Sequence, residues 1–572
     1  MMDKRALIAI ALTFLVILFW GTIQSKFFPQ PPADQPQKEV KKEEVAPAEK
    51  KEVKPLKEER SVSKPRVVIK KETSVETKNY LAVFTNEDAR LKHFKLKQYE
   101  DRVEETSLTI KLIRFFQNLF GGKIEEPKKP KPLDLVNTKE DEGLPLGLIF
   151  QPSPDSGGWE VDKEKLQVLK AGDKGEIVFS KSLDNGLKLL KKYRFTSENN
   201  VIDIEVEVQN TTSNEITVQM GLEWTGRIEL EKFADDTNKD FGLKYAFMKD
   251  QKVERKDLGG VSSSGCIPSC GSPKKKVEPF ESSDQGAIGW YAFEGEYFTA
   301  LLVPPSSEKN IFLSVKGNDK NILKAQLATS PVSVPPRGAI RTTYRIYLGP
   351  KVIDSLKELG VGAEGLIDFG FFTIVAKPLL WFLKLTNNVT KNFGIDIIIL
   401  SILIKIIFLP LTQISMKSMK EMQKVQPEMS RLKEQFKNDK TRLQQETMLL
   451  YKRRKINPMS GCLPMLIQIP VFIALYNALQ NSIEMRHAPF ILWIMDLSAK
   501  DPIYITPIIM GATMVLQQKM TPTAADPAQA KIFMLMPIMF TFLFLNFPSG
   551  LVLYWMVTNI LSIAHQYYMN KK

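Results

Sequence analysis

Residues 394–412 read GIDIIILSILIKIIFLPLT. The run is apolar over about the length needed to cross a bilayer. It holds one charged side chain near its middle, Lys405. A lone ammonium in hydrocarbon costs roughly 3 kcal/mol or more. Two arrangements relieve that cost. The side chain snorkels to an interface near Thr412, or it faces a wet cavity inside the membrane. On one continuous helix Ser401, Lys405 and Thr412, at i, i+4 and i+11, share a face. That patterning favours the cavity and makes the chain a membrane protein whose other walls must lie elsewhere in the sequence.

Toward the C-terminus four more apolar runs follow, at about 461–482, 503–518, 532–547 and 550–568. Two carry polar stripes. Thr506, Thr513 and Gln517 stand at i, i+7 and i+11, and Tyr554, Thr558, Ser562 and His565 at i, i+4, i+8 and i+11. Each stripe falls on one helical face. Such faces either glue helices together or line water. Three of them around an intramembrane lysine predict a shared hydrophilic chamber. Residues 532–547, IFMLMPIMFTFLFLNF, read instead as a greasy wall facing lipid or another apolar helix. Between the lysine-bearing run and the next, residues 414–460 carry twelve Lys/Arg against five Asp/Glu. They predict a cytoplasmic helical hairpin that breaks near 437–440. Met416, Met419, Met422 and Met429 dot its first arm, as hairpin packing or as a flexible docking surface.

Toward the N-terminus, residues 351–393 predict amphipathic helices, one of them (373–391) lying in the interface. Residues 65–350 alternate apolar and polar side chains over many short runs, predicting a large antiparallel all-β sandwich. Within it 175–195 and 199–224 each read as a hairpin, the first turning at Asp184-Asn185-Gly186. Residues 29–64, rich in Pro, Lys and Glu, form a disordered linker. Residues 1–28 hold the run Ala6–Ile23 behind Lys4 and Arg5, an uncleaved anchor with a cytoplasmic N-terminus. The fold class expected is therefore a polytopic α-helical membrane protein of six transmembrane helices, five of them in a core at 394–572, plus an external β-domain.

The net charge of +14 and pI near 9.2 fit charge flanking apolar spans, and no motif points to nucleic acid. The mean hydropathy of −0.16 averages a charged front and an apolar rear. Three histidines, scattered, make no catalytic cluster. Cys266 and Cys270, in SGCIPSCGS, suit a disulfide in an oxidising compartment. No P-loop, G-x-S-x-G or zinc motif occurs, so neither cofactor nor metal is expected, and the work is partitioning rather than bond chemistry. Two rival readings are a solute transporter with an external accessory domain and an anchored external carbohydrate enzyme. The first calls for broken helices and an ion site; the second leaves five patterned spans unused.

The runs MKSMKEMQKVQPEM, NPMSGCLPMLIQIPVFIALYNAL, RHAPFILWIMDLSAKDPIYITPIIMGATMVLQQKM and FPSGLVLYWMVTNILSIAHQ resemble the YidC membrane-protein insertases of Gram-negative-type bacteria, over essentially the full chain. The resemblance implies a protein of the bacterial inner membrane with both termini cytoplasmic and a periplasmic β-supersandwich related to sugar mutarotases. It implies insertion and folding of nascent membrane proteins, alone or beside the Sec translocon and the ribosome. The implied device is a positively charged groove open to cytoplasm and lipid. Lys405 stands where the family typically has arginine, which keeps the charge and loses the fork. Ser401 and Trp555 match other groove-lining positions, and Thr513, Gln517, Tyr554 and Thr558 join them from the stripes. Met416, Met419 and Met422 would dock incoming apolar segments.

Overall fold

The computed structural model describes residues 70–104, 110–112, 114–115, 129–152, 158–228, 244–257, 279–437, 439–454, 463–520 and 527–571. The anchor, the linker and both Cys266 and Cys270 lie outside them.

Alternation builds the front half. In the strand Val201–Asn210 the side chains of Ile202, Ile204, Val206 and Val208 are wholly buried. The opposite face carries Glu205 and Glu207, both paired to Lys192 at 3.0 and 2.7 Å. This strand sits between Leu187–Thr196 and Ala339–Pro350 in a nine-stranded sheet. A six-stranded and a five-stranded sheet complete the domain. Pairing is antiparallel except where Glu72–Thr77 runs parallel to Lys165–Val168. Tyr80, Phe84, Tyr193, Trp224 and Tyr344 fill the space between sheets.

One expected hairpin forms and the other does not. Lys174–Ser182 pairs with Leu187–Thr196 around Gly186, whose φ of 80° needs no Cβ. Val201–Asn210 and Ile216–Arg227, by contrast, lie in different sheets. Asn210 holds the crossing, its amide donating to Asn214 O and Val334 O at 2.7 and 3.2 Å. Alternation reports which face is buried, not which strand is the neighbour, and these two strands bury their faces from opposite sides of one core.

Among the described residues nine α-helices follow. They are α1 (Ile353–Glu358), α2 (Thr373–Thr390), α3 (Phe393–Ile407), α4 (Leu409–Gln435), α5 (Lys440–Arg453), α6 (Leu463–Gln480), α7 (Ile505–Met520), α8 (Pro527–Phe544) and α9 (Ser549–Lys571). α2 is amphipathic: Ala376, Leu380 and Leu383 are buried, while Ile374, Trp381 and Val389 are exposed. Its buried face meets Ala474 and Ala478 of α6. α9 packs on both α3 and α7, and α8 packs on α7.

The stretch 394–412 is not one helix. It breaks at Phe408, and α3 and α4 meet at 59°. Pro410, at the start of α4, has no N–H to continue the α3 ladder but suits a helix start. Thr412 therefore stands beyond the bend, its hydroxyl bonded to Phe408 O at 2.8 Å, and does not share the face of Ser401 and Lys405. α4 and α5 part between Gln435 and Lys440, with Asp439 capping α5. Among the described residues no single helix is long and apolar enough to cross a membrane alone; the bent α3–α4 pair together meets that measure by length and composition only.

Candidate functional site

The helical region is apolar outside and selectively polar within. Lys405, in the last turn of α3, donates from Nζ to Ser562 Oγ on α9 at 2.7 Å. Ser562 in turn donates to Thr558 O at 2.7 Å, so its hydroxyl is used in both directions. On the other flank of α9, Asn559 donates to Thr513 Oγ1 of α7 at 3.4 Å, and Thr513 donates to Met510 O. α9 thus carries a polar ridge contacted from α3 on one side and α7 on the other. Gln517 lies one turn beyond Thr513 on α7 and is half-buried.

The remaining residues of the ridge are less satisfied. Tyr554 is wholly buried, with its hydroxyl beside Gln468 of α6 and Thr558. The Thr558 hydroxyl and both ring nitrogens of His565 are shielded from solvent and make no hydrogen bond among the described residues.

Other residues singled out in the sequence make local contacts. Ser401 is buried and returns its hydroxyl to Ile397 O at 2.7 Å. Thr506 is not on the polar ridge; its N–H and hydroxyl both donate to Asp501, which caps α7 from the preceding loop. Trp555 stands in an aromatic cluster, 5.0 Å edge-on to Phe472 and stacked on Phe540 at 6.0 Å. Phe544 and Phe547 extend that cluster between α6 and α8. Met416 is buried, and Met419 and Met422 are half-buried on α4. Met429 accepts from Thr447 across the hairpin, as packing requires. Sequence patterning missed Gln468 and Asn559; each is a lone amide in an apolar run, and only the helix packing brings them to the ridge.

A separate cavity of about 800 Å³ opens on the β-domain, lined by Tyr99, Arg194, Asp203, Arg345 and Tyr347 among others. Its guanidinium groups are already paired, Arg194 with Glu176 and Arg345 with Asp203. Among the described residues no cluster of three or more His, Cys, Asp or Glu is placed to hold a metal ion.

A β-rich domain joined to an apolar helical region whose interior carries a lysine on a polar ridge has the architecture of a membrane protein with a large extramembrane domain. Residues 385–572 match the family described as 60Kd inner membrane protein, and residues 123–382 match the YidC periplasmic domain. The membrane protein insertase YidC of Syntrophus aciditrophicus is 39% identical, with all of both chains covered. That of Geobacter sulfurreducens is 36% identical over all of this chain and 98% of its own. A solved YidC insertase with its first transmembrane domain resolved aligns over 88% of this chain and 93% of its own, at 20% identity and a TM-score of 0.36. The chain belongs to the YidC family of membrane protein insertases.

Proposed function

We propose that the chain inserts apolar segments of nascent membrane proteins into the bacterial inner membrane through the polar interior between α3, α7 and α9. Five spans form this core: the bent α3–α4 pair, α6, α7, α8 and α9. Ala6–Ile23 supplies a sixth, leaving both termini in the cytoplasm and residues 65–350 in the periplasm. The basic hairpin of α4 and α5 meets the incoming chain on the cytoplasmic side, where the ribosome delivers it, and the Sec translocon is a lateral partner.

The observation that carries this reading is the Lys405–Ser562 hydrogen bond. It fixes an ammonium against a polar ridge within an apolar bundle. A positive charge there lowers the cost of drawing an acidic external tail part-way across. The apolar segment behind the tail then leaves the polar interior for lipid, gaining roughly 25 cal/mol per Å² of apolar surface removed from water. The transfer is downhill, so no bond is made or broken and no nucleotide is consumed at this protein.

The test is insertion of a single-span substrate carrying acidic residues in its external tail. Lys405→Glu reverses the sign of the attraction and lowers insertion at least tenfold, in line with the loss of a charged hydrogen bond. Insertion at the normal rate in Lys405→Glu membranes overturns the proposal.

A further inference from the structure

The Lys405–Ser562 bond leaves one member of the α9 ridge unexplained. His565 is three residues past Ser562, so both project from the same face of α9. The imidazole lies within electrostatic reach of the Lys405 ammonium. Both of its ring nitrogens are shielded from solvent and unbonded among the described residues. An imidazole always carries at least one N–H. That donor stands on the helix face whose Ser562 already binds the Lys405 ammonium.

The groups nearby are basic. Lys420, on the hairpin helix α4, is bonded to Met569 O one turn beyond His565. Among the described residues no carboxylate is hydrogen-bonded to His565. The local chemistry therefore suits an anion brought by something else. Ser562 cannot serve it, because its hydroxyl is already committed to Lys405 and Thr558 O.

We propose that His565 is the second donor to substrate carboxylates in the insertion groove, acting beside Lys405. The inference rests on the insertion reading above and deepens it. A lysine presents a compact charge on a flexible stem, whereas an arginine presents a planar fork that grips both oxygens of a carboxylate. Lys405 and His565 together offer two N–H donors from adjacent helices, one carrying the charge and the other fixing the second oxygen. On this account the chain tolerates lysine at 405 because the other half of the fork is supplied by α9. His565 acts on the partner as a specificity group: it discriminates a carboxylate from a neutral amide of the same size.

The test uses the full-length protein in proteoliposomes and one single-span substrate with either two aspartates or two asparagines in its external tail. The readout is the ratio of insertion rates for the two tails. Wild type favours the aspartate tail. His565→Ala lowers that ratio roughly tenfold, as expected for one hydrogen bond to a charged group. His565→Gln keeps a donor and retains most of it. Lys405→Arg combined with His565→Ala restores the wild-type ratio, because the fork is again complete on one side chain. A ratio unchanged in His565→Ala but collapsed in Lys405→Ala overturns this proposal and leaves the insertion reading standing. A ratio unchanged in both variants overturns the two together. Equal slowing of both tails by His565→Ala and His565→Gln assigns the imidazole to packing and overturns the proposal, as does a defect that follows the anionic lipid content of the vesicle rather than the tail.

Discussion

At the scale of single residues, two lysines drawn away from water, Lys405 and Lys191, are treated differently. Lys405 was legible because a charge in an apolar run is conspicuous; its partner Ser562 was not, because periodicity ranks a stripe without saying which member faces which helix. Lys191 is conspicuous only by parity. In its alternating strand it shares the inward face with Leu187, Leu189, Tyr193 and Phe195, opposite Lys188 and Lys192, and it is wholly buried. Its Nζ donates to Ala89 O at 3.0 Å and to Leu146 O, and lies 5.2 Å from the Tyr193 ring. Ala89 and Leu146 both have left-handed backbone, with φ of 50° and 64°, so the amine ties two unusual turns to one strand. Burial, reinforced by the Arg90 charge, holds its pKa well below the usual 10.5. Between that lowered value and 10.5 the unfolded chain binds the proton more readily than the folded one. Stability accordingly rises with pH across that interval. Lys191→Met removes the titrating group, and melting temperature followed from pH 7 to 10 flattens relative to wild type. An unchanged upward slope in the variant assigns the pH response to other groups.

At the scale of elements, what the sequence reveals is which face is buried, and what it hides is where a chain turns aside. The alternation in 175–195 yields a true hairpin because a short turn with glycine at positive φ leaves the strands no other partner. The same alternation in 199–224 joins strands of two sheets. The bend at Phe408 likewise escapes hydropathy, which sums composition across Pro410 without registering its missing donor. Helix contacts are set by small residues that periodicity passes over. Gly511 of α7 faces Thr541 of α8 so closely that an added Cβ would stand 2.0 Å from Thr541 Oγ1. That hydroxyl is held by Pro537 O at 2.8 Å and has little room to yield. Gly511→Ala therefore overpacks the α7–α8 contact and costs about 1–3 kcal/mol. Thr541→Ala removes the obstructing oxygen, so the double variant recovers much of the loss. A double-mutant cycle on thermal stability in detergent measures the coupling. Additive losses would show that the two helices part at this level rather than touch.

At the scale of the whole molecule, the β-domain is docked on the helical region rather than tethered to it. Composition separates the halves cleanly, so nothing in the sequence marks the junction, which is made by the loop between α6 and α7. Ile483 enters the hydrophobic core of the sandwich. Glu484 pairs with Lys384 of α2. Arg486 donates to Glu100 O at 2.8 Å and lies 5.3 Å from the centre of the Phe298 ring. Within four consecutive residues, 483–486, the loop thus binds both the sandwich and α2. The neighbour of Arg486 makes this junction sensitive to acid. His487 has left-handed backbone at φ 59°. Burial and the adjacent Arg486 push its imidazole down to about 3, against a smaller opposing pull from Asp101. Once undocked and hydrated, the same imidazole returns toward 6.5 and takes up a proton at any pH between those values. Undocking is therefore favoured progressively as pH falls below 6.5, and the docked state is fully stable only above it. Spin labels on Lys165 of the sandwich and Tyr504 before α7 report the separation. Their distance distribution is narrow at pH 7 and broadens toward pH 5 in the wild-type chain. His487→Gln keeps a neutral side chain at both values and leaves the distribution narrow throughout. Broadening of equal size in that variant would place the acid-sensitive group elsewhere, on Glu484 or the carboxylates that face it across the junction.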